Sequence, residues 1–309
     1  MSSRLRPGRD IESRITWIFG SPRSGSTWLL ALLAEHELVV AVNEPLIGSY
    51  LSPFMCDQPG FSAQDLDASN FTIRRVQRGQ RQQFFADEFA DTWLPGLGRL
   101  MRDRFSAHLR RDPKAVPYTN GRVVIKEPNG SESADVIMAA LPRSRLLFLL
   151  RDGRDVVDSV LAANLSDSWV AHEFPGARGI DTAEHRDFVI ESAHKWLWRT
   201  EVVQAAYAAH PGPRLMVRYE DLLQEPHRHL REICDWMELP VSDSQLEQWI
   251  GTHAFESLPA AARGPKQFFR AAQPGLWRKS LTLEEQVCVT EILGPKLREL
   301  GYAHDAEPV

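Results

Sequence analysis

Residues 15–35, ITWIFGSPRSGSTWLLALLAE, place a short apolar run, a turn of Gly, Pro and Ser, and a second apolar stretch in immediate succession. The β-branched and aromatic run Ile15–Phe19 suits a buried strand, and Gly20 to Ser26 supplies residues that let a backbone turn sharply. From Thr27 the apolar residues continue as a helix. Its first turn aims unpaired N–H groups and the positive end of the helix dipole back at the loop. Such an arrangement constrains the chain to an α/β architecture with a cradle for an anion.

The loop is similar to the phosphate loop GxxxxGK[ST], through Gly20, Gly25 and Thr27, but Ser26 stands at the lysine position and the nearest cation is Arg23. Without that lysine the chain lacks the main tool for ATP hydrolysis, so an ATPase is disfavoured. Small residues at such a turn also serve plain geometry, so a second segment has to decide. Residues 145–160, RLLFLLRDGRDVVDSV, provide it: another buried strand ends in Arg151, Asp152 and Gly153 and runs into a helix. In an open parallel sheet, ligands lie beyond the carboxyl ends of the strands, so Arg151 and the Arg23 loop are expected to face one crevice. Ser159, about two helical turns on, shares an anionic oxygen with Arg151 only if the strand end bends over the helix. Two anion sites on one sheet point to a nucleotide with a 5′ chain and a separate ribose phosphate.

These residues resemble the sulfotransferase family, whose sulfuryl donor is 3′-phosphoadenosine-5′-phosphosulfate (PAPS). GSPRSGSTW, Gly20 to Trp28, is similar to the family's 5′-phosphosulfate loop PKSGTTW or PRSGTTW, and RDGRDVVDS to its 3′-phosphate motif RDPRDVVVS, with Gly153 replacing the Pro. RYEDLLQEP puts Tyr219 where cytosolic members have a Tyr near the adenine. RAAQPGLWRKSLT resembles the closing segment RKGxxGDWKNxxT through Arg270, Gly275, Trp277 and Thr282, with departures at Ala271, Ala272 and Leu276. The resemblance spans Ile15 to Thr282 and implies a P-loop NTPase-like sulfotransferase fold, a three-layer α/β/α sandwich around a mostly parallel sheet. It further implies PAPS as co-substrate, held by Arg23, Ser24, Gly25, Ser26, Thr27, Trp28, Arg151, Ser159, Tyr219, Arg270, Gly275 and Trp277.

The family's cytosolic members place a catalytic His after a central strand, in a KTH segment. Here that stretch is RVVIKEPNG, which keeps Lys126 and has no His. Tyrosylprotein sulfotransferases and several bacterial relatives carry a Glu after the loop helix, and that pattern lands on Glu44 in VNEP, with Glu127 as an alternative base beside Lys126. A carboxylate can take the proton of an acceptor hydroxyl if the two are held together. Arg23, Lys126, the helix N-terminus and the hydroxyls of Ser26 and Thr27 are then expected to stabilise charge developing on the donor, in a scheme that requires no metal.

Duller roles compete with each assignment. Trp28 could be core packing, Glu44 a cap, Arg151 and Asp152 a local ion pair, and Tyr219 a strand end that touches no ligand. Arg154, Asp155 and Asp158 read as a solvated helix face. Two other functions also remain: a P-loop phosphotransferase, and an inactive nucleotide-binding interaction protein.

Strands are expected at Ile15–Phe19, Leu38–Val42, Val123–Lys126, Arg145–Leu150 and Arg214–Val217. Helices are expected at Thr27–Glu35, Ser133–Ala140, Val156–Asn164, Asp187–Ala209 and Leu283–Leu300. The donor segments stretch across nearly the whole 309-residue chain, from Ile15 to Thr282, which favours one domain with loose tails at about 1–12 and 303–309. Between Pro45 and Arg122, Pro and Gly punctuation, the basic run Arg74 to Arg81 and aromatics from Phe54 to Trp93 suggest the wall of an acceptor pocket. That acceptor would be a small molecule, lipid or glycan. Leu165 to Arg186, broken by Pro175, Gly176 and Gly179, reads as a lid.

The net charge of −5 gives no basic field for nucleic acid. Cys56, Cys234 and Cys288 are too few and too scattered for a disulfide framework or a zinc site. With no apolar leader and no apolar run long enough to span a membrane, a cytoplasmic location is expected.

Overall fold

The computed structural model describes residues 11–51, 85, 87–114, 120–173, 179–264 and 266–302. Five strands form one sheet: β1 Ile15–Phe19, β2 Val39–Asn43, β3 Arg122–Lys126, β4 Arg145–Leu150 and β5 Arg214–Arg218. Their order is β2-β3-β1-β4-β5, and every pairing is parallel. β1 lies at the centre, with Thr16 aligned to Val124 on one side and to Arg145 on the other. All five of its residues are buried, which is why the strand reads as an uninterrupted apolar run.

Helices follow the strands: α1 Ser26–Ala34, α2 Ile47–Leu51, α3 Ala90–Arg111, α4 Ala134–Ala140, α5 Gly153–Ala163, α6 Trp169–Glu173 and α7 His185–Ala209. After β5 come α8 Tyr219–Gln224, α9 Pro226–Trp236, α10 Asp243–Thr252, α11 Trp277–Ser280 and α12 Leu283–Glu299. Because side chains alternate along a strand, the sheet feeds two cores. Ile15, Trp17 and Phe19 join Phe148 and residues of α3, α4, α5, α7 and α12 on one face. Ile18, Val124 and Leu147 join residues of α1, α9 and α10 on the other. Each fully buried large apolar side chain contributes about 1.5–3 kcal/mol on transfer from water.

The three-layer α/β/α expectation is met, and each expected strand lies within one residue of its place. Helices α1, α4, α7 and α12 also begin or end within about two residues of expectation, a margin normal for helix ends. The amino-terminal expectation needs correcting at Ile11 and Glu12, which are buried. Glu12 accepts from the Arg143 backbone N–H at 2.7 Å and pairs with Arg102 at 3.2 Å. Residues 303–309 lie outside the described residues.

The topology itself creates a crevice. From β1 the chain passes into α1 on one face, and from the adjacent β4 it passes into α5 on the other. Loops leaving two neighbouring strands for opposite faces open a gap at their carboxyl ends, where α/β sheets bind ligands.

Candidate active site

Both loops at that gap are held by contacts that leave little latitude. Gly20 has φ 152° and an added Cβ would sit 2.2 Å from the Leu149 carbonyl oxygen, so only glycine lets β1 turn so close to β4. Gly25, at φ 83°, precedes α1, and a Cβ there would meet the Tyr219 ring at 2.4 Å. Arg23 also adopts a left-handed conformation, φ 67°. Beyond these loops lies a cavity of about 1050 Å³.

At one end, four polar side chains, Thr27, Lys126, Glu44 and Asn129, are linked in a row. Lys126 Nζ, at the end of β3, donates to Thr27 Oγ1 in the first turn of α1 at 2.9 Å and pairs with Glu44 Oε1 at 2.6 Å. Asn129 Nδ2 donates to the other oxygen of Glu44. Glu44 follows β2 in a left-handed conformation, φ 43°, and its N–H donates to the Lys126 carbonyl, extending the β2–β3 ladder by one bond. Its side chain is 23% exposed and lines the cavity, so the carboxylate is held by neighbours yet open to a ligand.

At the other end, cations gather. Arg23 Nε donates to Ser159 Oγ at 3.1 Å, and Nη2 to the Phe268 carbonyl at 2.6 Å, while its guanidinium lies 4.8 Å from the Phe268 ring centre. Arg151 Nη1 donates to the Arg23 carbonyl at 2.6 Å, and its guanidinium stands 4.5 Å from the Tyr219 ring centre. Arg270 pairs with Asp158 at 2.6 Å. Burial pushes the Arg23 guanidinium down to about 10, and the charges of Arg151 and Arg270 push the same way. Ser21 Oγ, Ser24 Oγ and Arg151 Nε are buried with no hydrogen-bond partner among the described residues. Crowded cations with an unpartnered Arg151 Nε among them make an electrostatic setting that suits an anion.

Residues 16–243 match the sulfotransferase family. The chain belongs to that family. It is 26% identical over 316 residues to protein-tyrosine sulfotransferase A of Caenorhabditis elegans, a match covering 99% of this chain and 72% of that protein. Protein-tyrosine sulfotransferase 1 of Danio rerio is 23% identical over 301 residues, covering 95% and 74%. Among solved structures, mouse SULT7A1 complexed with PAP aligns with a TM-score of 0.54 at 13% identity, covering 93% of this chain and 85% of that one. The sulfotransferase domain of the Synechococcus PCC 7002 olefin synthase gives 0.51 at 16% identity, covering 94% and 95%. At such identities these structures establish the shared fold.

Most residues singled out in the sequence of this sulfotransferase meet at the cavity: Arg23, Gly25, Ser26, Thr27, Trp28, Glu44, Lys126, Arg151, Ser159, Tyr219 and Arg270 all line it. The bend needed to bring Ser159 to the loop is supplied from the opposite side, by the Arg23 side chain reaching across. Trp28 and Tyr219 meet edge to face at 6.4 Å, so the two aromatics form one corner of the cavity wall.

Three of the residues named for the donor lie off the cavity lining. Ser24 is buried in the loop. Gly275 and Trp277 stand behind the wall as well: the Gly275 N–H donates to Asp155 Oδ2 at 2.7 Å, and Trp277 is buried with the Arg154 guanidinium 4.5 Å from its ring centre. Arg154, Asp155 and Asp158 form no solvated face, since all three are buried. Asp152 pairs with Arg154 at 2.7 Å instead of Arg151 and caps α5 by accepting from the Arg154 N–H. Asp155 and Asp158 fasten residues 270–277 across the crevice.

Glu127, the alternative base, is fully buried and faces away from the cavity lining. Its carboxylate accepts from the N–H groups of Leu46 and Gly48, each at 3.0 Å. Burial raises it to about 7 against the pull of those hydrogen bonds, and the charge of Glu44 adds to the rise.

Among the described residues, none between Pro45 and Arg122 lines the cavity. α3 packs instead against the core through Met101 and Phe105, and residues 52–84, with the basic run and most of the aromatics, lie outside the described residues. The far wall comes from Phe188, Ser192, Lys195 and Arg199 of α7 and from Trp169 of α6. Of the expected lid, residues 174–178 lie outside the described residues, while Trp169 donates its backbone N–H to the Lys266 carbonyl at 3.0 Å and so ties α6 to the strap before α11. No helix among the described residues is long and apolar enough to cross a membrane.

Proposed function

We propose that this sulfotransferase transfers a sulfuryl group from PAPS to an acceptor hydroxyl, with Glu44 as general base. The contact that carries the reading is the chain Thr27–Lys126–Glu44, which puts a partly open carboxylate, an ammonium and the first turn of α1 on one side of a single cavity.

The co-substrate supplies the sulfuryl group. The first turn of α1, Ser26 and Thr27 would hold its 5′ phosphosulfate end, with Arg151, Ser159, Arg270 and Arg23 on the 3′-phosphate and Trp28 and Tyr219 beside the adenine. The orphaned Arg151 Nε and the mutual crowding of the three arginines support an anion of more than one charge at that end. Arg23 was expected at the catalytic end as well. Its contacts to Ser159 and Phe268 favour an anchoring role.

At the other end Glu44 takes the proton of the acceptor hydroxyl as the oxygen becomes nucleophilic. Lys126 has three N–H donors. Two are used on Thr27 and Glu44, which leaves one for an oxygen in the cavity, where its positive charge favours negative charge developing on the donor. The ion pair also holds the Glu44 carboxylate at the cavity, where an acceptor hydroxyl can reach it. Acceptors of the size of a small molecule, a lipid or glycan hydroxyl, or a peptide tyrosine fit this scheme, the last by analogy with the named relatives.

Calorimetric titration with 3′-phosphoadenosine-5′-phosphate (PAP), beside ATP and adenosine-5′-phosphosulfate, tests the donor half. Preference for the bisphosphate is expected, and preference for ATP would overturn it. Glu44→Gln tests the base: turnover should fall by at least about a hundredfold while PAP affinity stays within about twofold, and unchanged turnover refutes the assignment.

A further inference from the structure

Glu44 owes its place to an unusual turn. Three residues leave β2 as Glu44–Pro45–Leu46, with φ 43° at Glu44 and 58° at Leu46 on either side of a proline. Left-handed conformations at non-glycine residues cost of order 1 kcal/mol each and persist only where surrounding contacts over-determine them. Pro45 offers no N–H to help, so the contacts have to come from outside the turn.

They come from Glu127. Its carboxylate accepts the Leu46 N–H on one oxygen and the Gly48 N–H on the other. The backbone of Glu127 is itself fixed, because its N–H donates to the Ile18 carbonyl of β1 at 3.0 Å and its carbonyl accepts from Gly130 N–H and Ser131 Oγ. The enclosure is tight. A Cβ at Gly130 would lie 2.3 Å from Glu127 Oε1, and a Cβ at Gly48 would lie 1.8 Å from the Gly130 carbonyl oxygen. Glu127 follows Lys126 directly, and the Lys126 carbonyl accepts the Glu44 N–H. One short segment, residues 126–130, therefore fixes Glu44 at its backbone through Lys126, at its side chain through Lys126 and Asn129, and at the turn that follows it through Glu127.

We infer that Glu127 is a positioning residue for the reaction: its buried carboxylate holds the left-handed turn at residues 44–48 and thereby keeps the Glu44 carboxylate on Lys126 and open to the cavity. This inference rests on Glu44 being the base. Glu127 itself touches neither donor nor acceptor. A buried carboxylate beside the base site suits this turn better than an apolar residue because its two oxygens accept the two converging N–H groups, one each.

The test compares wild type with Glu127→Gln, Glu44→Gln and the double variant. Sulfuryl transfer from PAPS is followed with 2-naphthol and a tyrosine peptide as acceptors, together with PAP affinity and amide hydrogen exchange. Glu127→Gln keeps the shape but turns an N–H donor toward one of the backbone N–H groups. It should speed exchange at Leu46 and Gly48 by at least about tenfold, lower kcat by at least about tenfold, and leave PAP affinity within about twofold. In the Glu44→Gln background, the same change should alter kcat by less than about twofold, because a residue acting only through Glu44 has nothing left to position.

Unchanged exchange and kcat in Glu127→Gln, or full additivity in the double variant, would overturn the inference while leaving Glu44 as base. Full activity of Glu44→Gln would overturn the base assignment and this inference with it. Should Glu127→Gln fail to fold, Gly130→Ala, which keeps the carboxylate but intrudes on Oε1, should reproduce the loss of kcat with PAP binding kept. Unaltered kcat in that variant would refute the proposal.

Discussion

Replacing Gly25 by alanine tests the donor site at its tightest point. Two penalties can be worked from the structure. A left-handed φ of 83° costs an L-residue about 1–2 kcal/mol, and a Cβ 2.4 Å from the Tyr219 ring forces that ring aside, an overpacking cost of about 1–3 kcal/mol. The ring is 6% exposed and is the surface over which Arg151 lies, so it cannot swing away without taking the guanidinium with it. Taking a net destabilisation of about 2–4 kcal/mol and an unfolding entropy of about 2.1 cal/mol/K per residue over the chain, Tm should fall by about 3–6 °C. PAP affinity should drop by at least about tenfold, about 1.4 kcal/mol, because Arg151 leaves the anion site. Differential scanning calorimetry and titration with PAP measure both. A variant that melts within about 1 °C of wild type and binds PAP equally well would show that neither the contact with Tyr219 nor the loop conformation constrains the site.

Other perturbations follow from the same geometry. Asp155→Ala removes the acceptor for the Gly275 and Trp277 N–H groups and should cost about 2–3 kcal/mol by urea denaturation; a change below about 0.5 kcal/mol would refute its fastening role. Thr27→Ala deletes a partner of Lys126 and should lower kcat more than it weakens PAP binding; weakened PAP binding with unchanged kcat would place Thr27 in ground-state binding only. Glu127 has a folded-state value of about 7 against an ordinary 4.5, so its contribution to stability is full below pH 4.5 and is lost as pH rises through about 7. Between those limits wild type should lose about 3 kcal/mol relative to Glu127→Gln in paired denaturation curves, and parallel pH profiles would refute the shift.

The middle of the sheet was legible because its strands are buried on both faces, and β1 and β4 therefore read as apolar runs between turn residues, ITWIF and RLLFLL. Strand ends were less so: β2 takes in Asn43, β3 Arg122 and β5 Arg218, polar or charged residues whose ladder positions depend on the neighbouring strand. The cavity residues on the two loops were legible through their motifs. Asp155 and Asp158 were misjudged because two acids beside an arginine in one helix look like a solvated face, while their partners, Gly275 and Arg270, arrive more than a hundred residues later. Glu127 illustrates the same limit. Its partners are backbone N–H groups about eighty residues upstream, and a backbone N–H has no signature in a sequence.

The central place of β1 has a bearing on how the protein is made. Among the described residues Ile15–Phe19 is the earliest strand in the chain, yet both of its neighbours, Arg122–Lys126 and Arg145–Leu150, come from much later. At translation rates of about 5–20 residues per second, this five-residue apolar ribbon waits about 5–20 s with both edges unpaired. Through that interval it is a template for pairing with any other nascent chain. Yield in a living cell is therefore expected to respond to the speed of the ribosome and to holding chaperones more than to the stability of the finished fold, and slowing translation of the segment between β1 and β3 should cost soluble protein.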